Sequence, residues 1–250
     1  MSFLERIVTG QHLAVLIDPD KHEDNASLHP VLDKIKILQP SFIFVGGSTV
    51  HPEKFQSVCQ YIKKHCTSDV IIFPGAYNQV DESADGILFL SLLSGRNPDF
   101  LIGHQIQAAP MLKKMEIEVI PTAYLLVDGG KSTSVAYVSQ TTPIPSDQHS
   151  IAVDTTIAAE LLGFKTVFLD AGSGAKHHVP TEMIKKIKMS TNLPVIVGGG
   201  VKSIDELENI YDSGANLVVI GNKIEEDVDF LLDLANYFHK KTVSNSASLT

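Results

Sequence analysis

The chain has 250 residues, of which 44% are hydrophobic, and its formal net charge is −9 at pH 7. This length suits one large domain, and the hydrophobic content is sufficient for a sizeable core. The acidic balance argues against a nucleic-acid-binding protein, which needs a basic face. An anionic substrate stays compatible with it, because local backbone amides and a metal ion can hold a phosphate on an acidic protein.

The cysteines and the amino terminus indicate the compartment. Cys59 and Cys66 lie seven residues apart in one predicted helix, too far for a disulfide within a continuous helix. Two reduced cysteines are typical of a cytoplasmic protein. Segment 1–10 lacks the apolar stretch of a signal peptide, and no apolar run approaches the roughly 20 residues of a membrane helix. We therefore expect a soluble cytoplasmic protein.

Eight short apolar runs recur along the chain and predict eight strands. The runs are nearly continuous rather than alternating, which indicates strands buried on both faces, as in a parallel sheet. They cover 13–17, 42–47, 70–75, 86–93, 118–127, 166–172, 194–200 and 217–222.

Segments with apolar residues at helical spacing lie between most of these runs. They cover 28–38, 52–65, 180–189, 203–214 and 225–241. Ser203 and Glu206 have the spacing of a capping box. The polar segment 76–85 is too short to supply a crossover helix between strands three and four. The pattern predicts a (β/α)8 TIM barrel that forms a single domain over 1–240, followed by a polar tail at 241–250.

Glycine-rich segments follow the last three predicted strands. In a barrel of this type the active site lies at the carboxyl ends of the strands, and loops seven and eight commonly hold phosphate. Glycine lets backbone amides approach an anion closely. Each glycine alone is explained by its own turn, whereas three such loops together favour a phosphate site. The residues concerned are Gly172, Gly174, Gly198, Gly199, Gly200 and Gly221, with Ser173 and Asn222 as further donors.

Carboxylates stand at two other strand ends. The first strand runs into Asp18 and Asp20, separated by a proline, and the sixth ends in Asp170. An exposed turn of this composition needs no function. At the end of a buried strand, however, these oxygens suit Mg²⁺, and Ser48 or Thr49 with waters would complete the coordination.

Several familiar motifs are absent. Segment 128–133 resembles the end of a P-loop but has Leu125 where the first glycine is required, and 172–177 lacks the third glycine of a dinucleotide fingerprint. There is no G-x-S-x-G nucleophile motif, and His177 and His178 lack the spacing of a helical zinc site. Neither a nucleoside triphosphate nor NAD is supported.

Five segments, in this order, resemble the geranylgeranylglyceryl phosphate synthases and their PcrB-like bacterial relatives: LIDPDK, FVGGST, LDAGSGA, IVGGGV and VIGN. The likeness covers about residues 10–235. It implies a prenyltransferase in which the free hydroxyl of sn-glycerol 1-phosphate attacks the allylic carbon of geranylgeranyl diphosphate and releases diphosphate. The alternatives are the same reaction with a longer donor, such as heptaprenyl diphosphate, and a phosphosugar-binding barrel enzyme.

The resemblance also implies residue roles. Asp18 and Ser48 would be the Mg²⁺ ligands, and Asp170 would be a catalytic base or would position the hydroxyl. The family further implies a homo-oligomer and transient membrane contact for the lipid product. The implied glycerol phosphate site consists of Phe168, Leu169, Asp170, Ala171, Gly172, Ser173, Gly174, Gly199, Gly200, Gly221 and Asn222.

The chain departs from the family pattern at three positions. Leu16 stands where many members have a lysine, and Lys21 is the candidate to supply that charge instead. Phe168 and Asp170 stand where tyrosine and glutamate are common, which removes a hydroxyl and draws the base back by about one methylene. Leucine and phenylalanine residues around 88–102 either line an isoprenoid groove or belong to the core.

Overall fold

The structure is a computed structural model that describes residues 1–47 and 50–247, with side chains described as far as Lys241. Eight parallel strands close into a barrel in chain order, β1 to β8. The predicted TIM-barrel fold and all eight predicted strands are confirmed. The strands are β1 His12–Ile17, β2 Phe42–Val45, β3 Asp69–Ile72, β4 Gly86–Leu92, β5 Glu118–Leu126, β6 Thr166–Asp170, β7 Val195–Gly198 and β8 Leu217–Ile220.

Helices cover most of the outer face of the barrel. They are α1 Phe3–Val8, α2 His29–Leu38, α3 Pro52–His65, α4 His104–Leu112, α5 Ser134–Ser139, α6 His149–Leu161, α7 Thr181–Ser190, α8 Ile204–Asp212, α9 Asn222–Glu226 and α10 Phe230–Ala247. Short 3₁₀ turns occur at Pro19–Lys21 and Ala26–Leu28, and a π-helical turn at Asp99–Gly103 leads into α4. Within the described ranges, no helix combines the length and apolar character needed to cross a membrane.

One helix prediction is wrong. The segment 225–241 was expected to be continuous, but it is divided between α9 and α10. Asp227 adopts an extended backbone with φ −148°, and its Oδ1 accepts a hydrogen bond of 3.1 Å from the amide of Asp229. Aspartate side chains compete with helix in this way. α10 then continues to Ala247 and so includes part of the segment expected to be a polar tail.

The predicted capping box at α8 forms in part. Ser203 Oγ accepts a 3.2 Å hydrogen bond from the amide of Glu206, as the motif requires. The Glu206 carboxylate accepts from the amide of Lys202 at 2.6 Å, one residue before the position expected. The helix start is therefore capped on both sides, with the second bond shifted by one residue.

The core has two layers. One lies inside the barrel, and α1 closes its amino-terminal end, where the rings of Phe3 and Phe42 are 4.6 Å apart. Glu118 fixes α1 there by accepting a 2.6 Å hydrogen bond from the amide of Phe3. The second layer lies between the sheet and the helices and includes Cys59, which is a free thiol like Cys66.

The connection from β3 to β4 has no crossover helix in residues 73–85, as the sequence predicted. Its second half lies against α3, where Gln60 Nε2 donates a 3.1 Å hydrogen bond to Asp81 Oδ2. Its first half instead forms part of the wall at the carboxyl ends of the strands.

Candidate active site at the carboxyl ends of the strands

A cavity of ≈ 460 Å³ lies at the carboxyl ends of the strands. Such a volume is typical of a small-molecule site. Two chemically different surfaces line it. The polar surface includes Asp18, Asp170, Ser173, Gly174, Gly199, Gly200, Gly221 and Asn222, and the apolar surface includes Phe73, Tyr77, Leu88, Leu90, Phe100 and Ala108.

Asp18 follows β1 directly and caps the 3₁₀ turn, because its Oδ1 accepts a 3.0 Å hydrogen bond from the amide of Asp20. Burial raises the pKa of Asp18, and the neighbouring charge of Asp20 adds to that effect. Glu225, at the start of α9, lines the same cavity, and burial raises its pKa too. The charge of Lys21 opposes both shifts, and Lys21 also lines the cavity.

This donor set fits Mg²⁺. No group of three or more metal-binding side chains occurs in residues 1–47 and 50–247. Mg²⁺ does not require one, since it is usually held by one or two carboxylates together with substrate phosphates and waters. Asp18 supplies a carboxylate whose charge is disfavoured by burial, and a bound cation would offset that cost. Ser48, the second predicted ligand, lies outside the described residues.

The loops after β6 and β8 are joined by Asn222. Its Oδ1 accepts a 3.1 Å hydrogen bond from Ser173 Oγ and a 2.8 Å bond from the amide of Gly174. The structure therefore brings together three residues of the predicted phosphate site, although Gly174 and Asn222 are 48 residues apart along the chain. Asn222 is the first residue of α9, so the same bonds also connect the loop after β6 to this short helix.

The loop after β7 packs directly against the loop after β6. Gly199 has φ +78°, and a Cβ at this position would lie 2.6 Å from the amide nitrogen of Gly172 and 2.8 Å from Asp170 Oδ1. Glycine is required for both reasons, the left-handed backbone and the close approach. The amides of Gly199 and Gly200 have no protein acceptor among the described residues. They stay available to an anion.

Asp170 ends β6 and is buried, with 8% of its surface exposed. Oδ2 accepts a 2.5 Å hydrogen bond from the hydroxyl of Tyr124, and Oδ1 accepts one of 2.7 Å from the amide of Gly172. Burial raises the pKa of Asp170, while these two hydrogen bonds act against the rise. The carboxylate is thus fixed in orientation and has a higher affinity for protons than an exposed aspartate.

The remaining predicted residues of β6 alternate across the sheet. Phe168 points into the barrel and stacks on Phe73 with ring centroids 5.0 Å apart. Leu169 and Ala171 point outward into the layer beneath the helices and do not line the cavity. This follows from the two-residue period of a strand. Only Phe168 and Asp170 of this strand offer side chains to the site.

The sequence left open whether the leucine and phenylalanine residues around 88–102 line a groove or belong to the core. Leu88 is fully buried inside the barrel, whereas Leu90 and Phe100 are half-buried, and all three line the cavity. Leu16 also lines it. The segment therefore serves both as core and as the wall of an apolar groove.

Several residues of the site were missed by the sequence analysis. Tyr124 and Phe73 both lie inside apolar runs of the sequence, and both therefore look like core residues. No local signal marks them, because β5 and β6 must pair before Tyr124 can reach Asp170. The basic side chains of Lys176, Lys202 and Lys223, together with His104, also line the cavity.

A family model described as the PcrB family matches residues 5–237. The chain belongs to the PcrB family. The resemblance found in the five sequence segments is confirmed.

The relatives of this PcrB-family chain are similar over almost their whole length. A geranylgeranylglyceryl phosphate synthase of Flavobacterium johnsoniae is 46% identical over 228 residues, covering 91% of this chain and 93% of the relative. One of Chitinophaga pinensis is 41% identical over 239 residues, covering 95% and 94%. These relatives confirm the prediction of an enzyme of the prenyltransferase class.

A solved structure has the same fold at appreciable identity. It is a crystal structure of (S)-3-O-geranylgeranylglyceryl phosphate synthase from Thermoplasma acidophilum in complex with its substrate sn-glycerol-1-phosphate. The TM-score is 0.86 and the identity 32%, with 94% of this chain and 96% of that chain covered.

Proposed function

We propose that this PcrB-family protein joins sn-glycerol 1-phosphate to geranylgeranyl diphosphate in a Mg²⁺-dependent reaction. The products are geranylgeranylglyceryl phosphate, which contains a new ether bond, and diphosphate. The observation that carries the proposal is one cavity in which acidic residues, glycine-rich loops and an apolar wall meet. The names of its relatives support the same reaction.

The glycine-rich loops would hold the phosphate of sn-glycerol 1-phosphate. The free amides of Gly199 and Gly200 can donate to phosphate oxygens. Asn222 keeps its neighbouring loops in place through its bonds to Ser173 and Gly174. The glycerol hydroxyl would then lie near Asp170, which lines the same cavity.

Asp170 would receive the proton of the attacking hydroxyl. As the glycerol oxygen forms its bond to the allylic carbon, the bond from that carbon to the diphosphate oxygen breaks, and the hydroxyl proton passes to the carboxylate. The raised pKa of Asp170 suits a general base, because it brings proton affinity closer to working pH. Tyr124 and the amide of Gly172 hold the carboxylate in a single orientation.

Asp18 and Ser48 would hold the Mg²⁺ ion, and the apolar surface would shelter the prenyl chain. When bound, the ion would offset the negative charge on the leaving diphosphate. Lys21 adds positive charge at this end, and its charge opposes the rise that burial causes in the pKa of Asp18. A phosphosugar substrate has no use for the groove formed by Leu90 and Phe100.

The test is an assay of the purified protein with sn-glycerol 1-phosphate and labelled farnesyl, geranylgeranyl, farnesylgeranyl and heptaprenyl diphosphates. We expect an organic-soluble product with the highest kcat/KM for geranylgeranyl diphosphate. A chelator should abolish the reaction, and added Mg²⁺ should restore it.

The matched control is sn-glycerol 3-phosphate, the enantiomer, which should react poorly. No product with any donor would contradict the proposed reaction. A preference for heptaprenyl diphosphate would keep the reaction but replace the donor. Turnover that is undiminished by the chelator would contradict the role of Mg²⁺.

A homo-oligomer, a cytoplasmic location and transient membrane contact for the lipid product stay predictions. Light scattering would give the oligomeric state. Co-sedimentation with vesicles, with and without prenyl product in the lipid, would test membrane contact.

A further inference from the structure

Gln79 is a fully buried polar side chain that ties the β3–β4 connection to the end of β2. Its exposed fraction is 0%. Oε1 accepts a 2.8 Å hydrogen bond from the amide of Gly75. Nε2 donates to the carbonyl of Gly47 at 3.0 Å and to that of Val50 at 3.5 Å. Both ends of the amide therefore bond to backbone, and the two ends serve different loops.

The loop on the donor side of Gln79 contacts Asp18. A Cβ at Gly47 would lie 2.5 Å from Asp18 Oδ1, so the backbone at Gly47 forms one wall around that carboxylate. The bond from Gln79 to the carbonyl of Gly47 therefore fixes the surroundings of Asp18. Only glycine at this position lets the backbone lie this close to the carboxylate.

The loop on the acceptor side of Gln79 is the start of the apolar wall. Gly75, Ala76 and Tyr77 line the cavity. The amide of Gln79 itself donates a 3.1 Å hydrogen bond to the carbonyl of Ala76. Residues 75–79 thus form a compact turn that is closed by the backbone and the side chain of the same residue.

We propose that Gln79 is a positioning residue that holds the Asp18 end of the site in place relative to the first residues of the prenyl groove. The inference rests on the proposed function, in which the diphosphate lies at Asp18 and the prenyl chain lies along Gly75–Tyr77. In most barrel units a crossover helix fixes the strand connection. Residues 73–85 contain no helix, and the buried amide of Gln79 supplies that link.

An amide is suited to this position because it accepts and donates at the same time. Methionine fills a similar volume but makes none of the three hydrogen bonds. Glutamate keeps an acceptor for the amide of Gly75 but cannot donate to the carbonyls of Gly47 and Val50 when ionised. The two substitutions therefore separate the two halves of the link.

The test compares Gln79→Met and Gln79→Glu with Gln60→Met. Gln60 is the control because it also bonds to this connection, at Asp81, but from α3 and away from Asp18. We expect Gln79→Met to raise the KM for the prenyl diphosphate about tenfold, with the KM for glycerol phosphate unchanged. Gln60→Met should change neither KM.

Two readouts do not depend on turnover. Calorimetry with inorganic diphosphate and Mg²⁺ should show weaker binding in both Gln79 variants. Hydrogen exchange of a peptide spanning 73–78 should accelerate in Gln79→Met, whereas Gln79→Glu should retain protection at Gly75. If Gln79→Met does not fold, calorimetry and hydrogen exchange of the Gln79→Glu variant test the proposal.

Equal increases in both KM values, or the same behaviour in Gln60→Met, would overturn the positioning role. Unchanged diphosphate affinity in both Gln79 variants would overturn it as well. If the wild-type protein transfers no prenyl group from any donor, the proposed function fails. Diphosphate binding and hydrogen exchange would still decide the role of Gln79.

Discussion

The hydroxyl of Tyr124 donates a 2.5 Å hydrogen bond to Oδ2 of Asp170 across the pair of strands β5 and β6. Phe168 stands where the family resemblance implies a tyrosine, yet Asp170 still has a phenolic partner. Tyr124 is held by edge contacts with Phe73 and Phe168, at centroid distances of 5.9 and 5.6 Å. The hydroxyl beside Asp170 therefore comes from the neighbouring strand.

Removal of that hydroxyl should shift the pH dependence of the reaction. In Tyr124→Phe, Asp170 loses a hydrogen bond that favours its ionised form, so its pKa should rise further. A base with a higher pKa loses activity at a higher pH as the solution is acidified. We expect the acid limb of kcat/KM for glycerol phosphate to move up by about one pH unit. Tyr137→Phe, at an exposed tyrosine, should leave the profile unchanged.

Substitution of Asp18 should separate stability from activity. Burial raises the pKa of Asp18, so its ionised form lowers the stability of the fold at neutral pH, and this cost disappears as the pH falls below the unfolded-state value. Asp18→Asn keeps an acceptor for the amide of Asp20 but removes the charge. We expect an unchanged or higher Tm in thermal denaturation without Mg²⁺, and prenyl transfer reduced about 100-fold or more.

Asp20→Asn is the matched control for Asp18→Asn, because it removes the same charge two residues away. It should retain most of the turnover. Equal losses in the two variants would show that Asp18 has no special part in binding the ion.

Asn222→Ala should weaken the binding of glycerol phosphate. The substitution leaves Ser173 Oγ and the amide of Gly174 without their shared acceptor, so the loop after β6 loses its link to α9. We expect the KM for glycerol phosphate to rise about tenfold with little change in the KM for the prenyl donor. Asn192→Ala, on an exposed loop, is the control. A donor KM that rises equally would contradict a local effect.

Gly199→Ala should cost more stability than Gly163→Ala. Both glycines have positive φ, +78° and +90°, so alanine strains the backbone at either position. A Cβ at Gly163 meets nothing within 4 Å, whereas one at Gly199 lies 2.6 Å from the nitrogen of Gly172. Urea unfolding should therefore show a larger loss for Gly199→Ala, and only that variant should also bind glycerol phosphate poorly. Equal losses of unfolding free energy in the two variants would show that the loop after β6 shifts to accommodate a Cβ at position 199, and would contradict this prediction.

His104 should make donor binding sensitive to acid. Its ring lies in the apolar groove 4.7 Å from the ring of Phe100, and burial lowers its pKa while the charge of Asp99 acts in the opposite direction. Because the folded-state pKa lies below the unfolded value of about 6.5, acidification below that value destabilises the fold and places a charge in the groove. The KM for the prenyl donor should rise as pH falls through this range.

His104→Phe is the control for that acid sensitivity. It should reduce the pH dependence of the donor KM while the pH dependence of the glycerol phosphate KM stays as in the wild type. A donor KM with the same pH dependence in this variant would assign the effect to another group.

The strands were predictable because a strand buried on both faces produces an apolar run of its own. Helix α6 was not predicted, because its buried side chains are Ala152, Thr156 and Ala159, which give no strong apolar stripe. The partners Tyr124 and Asp170 are 46 residues apart and meet only when β5 and β6 pair. In the sequence, Gln79 resembles any other polar loop residue. Its hydrogen bond to the backbone after β2 forms only in the folded barrel.

The hydrogen bonds of Asn222 have a thermodynamic consequence. They connect the β6 and β8 loops through protein atoms alone, and Gly199 is packed against Gly172. A phosphate bound to these loops would order little additional chain, because the conformational entropy of the loops is lost during folding rather than at each encounter. Glycerol phosphate should accordingly bind with a small heat-capacity change, as expected of a preformed polar site.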